Sequence, residues 1–80
     1  MRINKIIERK DIALYLERRG LLKQYKKAKN FILLGNFWSV DFKKREPKKD
    51  QVRYFRINKQ FRALAYLDGE TLVVFDIDSH

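Results

Sequence analysis

The chain has 80 residues, enough for one domain, since a chain this short buries only about 60% of its unfolded surface and has little core to divide. It is 45% hydrophobic and 14% aromatic, which excludes a disordered polyelectrolyte, and 19 Lys and Arg against 10 Asp and Glu give a net charge of +9. That excess points to polyanionic partners: nucleic acid first, with an anionic membrane surface or an acidic protein satisfying the same electrostatic demand. There is no cysteine and a single histidine, which excludes a disulfide framework, a cysteine-based zinc site and a histidine-only metal site, so neither metal nor cofactor is expected. No apolar run reaches the roughly 18 residues of a membrane span, and the start of the chain carries no signal-peptide core, so a cytoplasmic protein without membrane contact is expected.

Residues 2 to 7 are short and mixed, and fit either an edge strand or a lead into the first helix. From Lys10 to Arg19, the positions of Ile12, Tyr15, Leu16 and Arg19 have helical spacing, and Gly20 supplies the stop. A second helix runs from Leu21 to about Leu34, with Leu21, Leu22, Tyr25, Ala28, Phe31 and Ile32 on its apolar stripe and Gly35 at its end. Lys23, Lys26, Lys27 and Lys29 are expected on the exposed side, as a solvated face before an RNA contact. Trp38, the sole tryptophan, is expected in the core rather than stacked on a base.

After Gly35, FWSVDF gives way to KKREPKKD, a basic loop with the only proline. The remainder alternates with period two through VRYFRIN, FRALAYLD and TLVVFDID, with turns at Lys59 and at Asp68-Gly69, as in a three-stranded meander. The fold expected is α+β, a single domain over residues 1–80 with an N-terminal helical hairpin packed on a small antiparallel sheet.

Because a strand sends successive side chains to opposite faces, parity sorts the sheet. Odd positions give Phe55, Ile57, Phe61, Ala63, Ala65, Leu67, Val73, Phe75 and Ile77, a core face. Even positions give Tyr54, Arg56, Asn58, Arg62, Tyr66, Asp76, Asp78 and His80, mixed with Val52, Leu64, Leu72 and Val74. An ordinary solvated sheet surface would look similar. What distinguishes this one is two arginines on neighbouring strands, aromatics beside them, and an acid and a histidine at the end of the last strand.

RNA is cleaved without metal when its own 2′-hydroxyl attacks the adjacent phosphorus. An enzyme must then take a proton from that hydroxyl, return one to the leaving 5′-oxygen, and stabilise the phosphorane. Histidine suits the proton transfers, and the planar fork of arginine suits the phosphoryl oxygens. The basic segment contributes Lys43, Lys44, Arg45, Lys48, Lys49, Arg53, Arg56, Lys59 and Arg62 against Asp41, Glu46 and Asp50. Such density grips phosphates and supplies affinity without sequence information.

The stretch YFRINKQFRALAYLDGETLVVFDIDSH resembles the sheet half of the RelE superfamily. The arginine spacing in FRINKQFR and the ending of acid, one residue, histidine are most similar to the HigB branch. The resemblance spans about residues 8 to 80 and is strongest from Tyr54 onward. It implies the toxin of a toxin-antitoxin pair, a ribonuclease that cuts mRNA in the ribosomal A site and is held by a cognate antitoxin. By the same resemblance His80 matches the catalytic histidine, Arg56 and Arg62 the strand arginines, and Asp78 the acid. Lys43, Lys44, Arg45, Lys48, Lys49, Arg53, Lys59 and Tyr54 would contact messenger and ribosomal RNA. The chain departs from the HigB pattern at Ser79, where a tyrosine often stands; Tyr54 and Tyr66 are the aromatics expected nearby. The superfamily also contains ParE-like gyrase inhibitors. A non-catalytic inhibitor of a protein target and a plain RNA-binding module are therefore the competing readings, and neither needs Asp78 or His80.

Overall fold

The computed structural model describes residues 2–46 and 51–79. Its elements are β1 (Lys5–Glu8), α1 (Lys10–Arg18), α2 (Leu22–Leu33), a 3-10 turn (Phe37–Val40), β2 (Lys43–Lys44), β3 (Arg53–Arg56), β4 (Phe61–Asp68) and β5 (Thr71–Ser79). The class is α+β: two helices and one five-stranded mixed sheet, in the order β1-β5-β4-β3-β2. No helix among the described residues is long and apolar enough to cross a membrane.

The helices end where the glycines stand. Gly20 takes φ +68 and Gly35 φ +81. At the first, the Leu21 and Gly20 amides donate to the Leu16 and Glu17 carbonyls; at the second, the Asn36 and Gly35 amides donate to Phe31 and Ile32. Each pair satisfies carbonyls a helix end leaves open, in a left-handed conformation that glycine adopts at least cost.

The meander follows the expected turns. The Asn58 carboxamide oxygen accepts from the Gln60 and Phe61 amides, both at 2.8 Å, closing the β3–β4 connection. Asp68 pairs with Thr71 across the two-residue Gly69-Glu70 loop. Residues left open between strand and lead-in become β1, and it lies parallel to β5, with Ile6 opposite Leu72 and Ile7 opposite Val73. The sheet is therefore mixed rather than wholly antiparallel, and a strand precedes the helical hairpin. Glu8 locks this edge to α2: its carboxylate accepts from the Tyr25 hydroxyl at 2.6 Å and from Lys29 at 3.2 Å. Lys29 consequently leaves the exposed lysine face, its side chain being 23% accessible.

Both helices lie on one side of the sheet. Leu16, Tyr25 and Ile32 meet Phe55, Ala63, Ala65, Leu72 and Val74 in one continuous core. The parity sorting fails in β5. Leu64 pairs with Asp76 but Ala65 pairs with Val74, so Phe75 is an extra residue. Such a bulge reverses which parity faces inward. Leu72 and Val74, assigned to the polar face, are fully buried in the core; Val73 and Phe75, assigned to the core, turn to the open side, where the Phe75 ring packs against Tyr66 at 5.9 Å.

Candidate RNA-contacting face

The side of the sheet away from the helices carries the candidate residues at one end. Arg56 on β3 stands directly opposite Arg62 on β4, and Arg62 stands opposite Asp78 on β5. Like charges directly across a ladder destabilise a sheet, so this pair needs compensation. Arg62 lies over the Tyr54 ring, 4.8 Å from its centroid. Arg56 reaches the Asp41 carboxylate at 3.6 Å, and Lys43 reaches the same carboxylate at 3.0 Å. Lys43 also sits opposite Tyr54 in the ladder. Lys43, Tyr54, Arg56, Arg62 and Asp78 thus form one surface.

Asp41 was not singled out from the sequence. It follows the 3-10 turn at φ 53, with the Asp41 and Phe42 amides donating to the Trp38 and Phe37 carbonyls. This is the cap that Gly20 and Gly35 make after the α-helices, here built with a residue that pays about 1–2 kcal/mol for the left-handed region. Its carboxylate is the reason an acid is worth having at this position. Lys43 foremost, then Arg56 and Arg62, hold the carboxyl below its ordinary pKa, so it stays charged and orients two cations. Asp41 in turn, with Tyr54, pushes Lys43 upward.

The remaining basic residues are not gathered. Arg53 and Lys44 pair with each other, one position out of phase with Tyr54 and Lys43, and so belong to the opposite face. Arg45 is exposed beyond β2, its amide donating to the Val52 carbonyl at 2.7 Å, and Lys59 is exposed in the β3–β4 connection. Lys48, Lys49 and His80 lie outside the described residues. Trp38, expected in the core, is 81% exposed. The physical reason is the brevity of the 3-10 turn, which turns Val40 inward, at 4% exposure, and leaves the indole outside.

The other end of the open face is apolar. Ile7, Tyr66, Val73 and Phe75 adjoin one another there, with Ile7 at 41% and Tyr66 at 45% exposure. Among the described residues no three His, Cys, Asp or Glu side chains converge on a common point. The surface is therefore a cationic, aromatic strip, suited to binding phosphates and stacking bases, which runs into an apolar one. Neither a protein-family model nor a curated protein matches this chain.

Proposed function

We propose that the protein is a RelE/HigB-like toxin, an endoribonuclease that cleaves mRNA by attack of the RNA's own 2′-hydroxyl, in the ribosomal A site. The observation that carries this reading is the Arg56–Arg62 pair across β3 and β4, flanked by Tyr54 and Lys43 and facing Asp78. Two arginines set directly opposite each other in the ladder work against the fold, and a dianionic phosphorane is a ligand that rewards them. Arg62, assisted by Arg56, holds the phosphoryl oxygens. His80, two residues after Asp78 in the sequence, exchanges a proton with the ribose or the leaving oxygen. The cytoplasm is the compartment where mRNA and ribosomes are met.

A cell carrying such a nuclease needs it restrained, and the partner proposed is a small acidic antitoxin. Its acidic groups would pair with the arginines while apolar ones cover Ile7, Tyr66 and Phe75. That apolar end also supports the competing reading of a ParE-like inhibitor that docks on a protein target. Incubation with translating ribosomes, followed by mapping of mRNA 5′ ends, separates the two. New 5′-hydroxyl ends within codons support the nuclease; intact mRNA with a folded, ribosome-bound protein refutes it.

A further inference from the structure

A groove of about 270 Å³ opens between α2, the 3-10 turn and the end of β3, lined among others by Gln24, Lys27, Phe31, Ser39, Val40 and Arg56. Its floor is apolar, its polar rim carries two cations, and among the described residues no carboxylate lines it. It meets the open face through Arg56, which belongs to both. Next to Ser39 stands Trp38, 81% exposed. Trp38 does not line the groove but adjoins Ser39, which does, and an exposed aromatic close to a cationic groove is how single-stranded nucleic acid is held without sequence readout.

We infer that this groove is a nucleotide subsite for single-stranded RNA, one nucleotide removed from the Arg56–Arg62 surface: a backbone phosphate lies between Lys27 and Arg56, and the attached base stacks on Trp38. The inference rests on the RNA-directed reading above and extends it from the sheet onto α2. It also gives Lys27 a role distinct from Lys23 and Lys26 on the same helix, which do not line the groove. Charge selects the occupant. A +9 chain whose groove rim carries Lys27 and Arg56, the latter also 3.6 Å from the Asp41 carboxylate, attracts a phosphodiester, and the apolar floor accommodates the ribose.

The sole tryptophan makes this testable with the intact protein. A single-stranded oligoribonucleotide with every 2′-hydroxyl methylated binds without being cut, and anisotropy of an end label reports affinity independently of the indole. Stacking predicts quenching of Trp38 emission on the same titration curve as the anisotropy change. Trp38→Ala should weaken binding about tenfold, within the range for loss of one stacked base. Lys27→Ala should weaken it too and lower the log-log salt slope by about 0.7, with Lys23→Ala nearly silent. Both positions are exposed, so the variants retain the fold. Binding by anisotropy with unmoved Trp38 emission and an unaffected Trp38→Ala variant overturns the subsite while leaving the RNA reading intact. No binding at all also overturns the subsite, while the cleavage reading is decided by the ribosome experiment above.

Discussion

The two faces of the sheet obey different rules. The covered face pairs like with like: Phe55 lies opposite Ala63 and Ala65 opposite Val74, all fully buried, and each choice agrees with its neighbours. The open face sets arginine opposite arginine, caps a 3-10 turn with a strained aspartate, and leaves Tyr66 and Ile7 in water. On the RNA-directed reading proposed above, local conflicts of that kind are what a binding surface costs the fold. The covered face makes the fold, and the open face holds its cations in place.

The largest effects are expected at His80, the proposed catalytic residue, and at Phe55 on the covered face. His80→Ala should cost about 10² to 10⁴ in single-turnover cleavage rate while RNA affinity and thermal unfolding stay near wild type, as for a positioned general acid or base. An unchanged rate would remove His80 from the mechanism. Phe55→Ala should do the opposite: buried at 0% exposure against Tyr25, it should lose about 3–5 kcal/mol in denaturant unfolding, a large part of a small domain's stability.

A smaller effect of reversed sign is expected at Arg56. Arg56→Thr should slow cleavage yet leave unfolding unchanged or raise stability by up to about 1 kcal/mol, because it removes a like-charge pair from the ladder. Clear destabilisation would mean that the arginine pair is structural.

The Glu8–Tyr25 contact tests the covered side by pH. Burial first, then the bond to Glu8, raises the Tyr25 phenol above its ordinary pKa. The unfolded phenol then loses its proton near pH 10 while the folded one keeps it, so stability is fully present below about pH 10 and falls as pH rises beyond it. Tyr25→Phe should flatten that alkaline limb. The smallest effect distinguishes neighbours: Lys43→Ala should lower the salt slope of RNA binding by about 0.7 to 0.9, and Lys44→Ala, out of phase with the arginines, by less. Equal losses would show that Lys43 and Lys44 act as an undifferentiated cationic patch.

Local chemistry was legible in the sequence and long-range chemistry was not. Gly20, Gly35 and the Asp68-Gly69 turn announce helix ends and a hairpin, since each acts on residues within five positions of itself, whereas Asn58, sorted onto a strand face, closes the turn expected at Lys59. The Arg56–Arg62 pairing followed from the turn between them. Strand β1 could not be assigned, because its partner β5 lies more than 60 residues away and four residues carry too little periodicity. The Phe75 bulge was hidden by the run LVVF, apolar at both parities, so nothing in it marks the reversal. Asp41 passed unnoticed because its value comes from cations brought to it by the fold, although an acid before a basic run was a signal within reach.

The most direct test of the open face is the single-turnover cleavage rate of Arg62→Ala on programmed ribosomes, measured alongside its unfolding curve. A folded variant with a rate reduced at least tenfold, weaker RNA binding, and wild-type products ending in 2′,3′-cyclic phosphate is the expected result. A folded Arg62→Ala protein that cleaves at the wild-type rate would contradict the assignment of the arginine pair to the reacting phosphate.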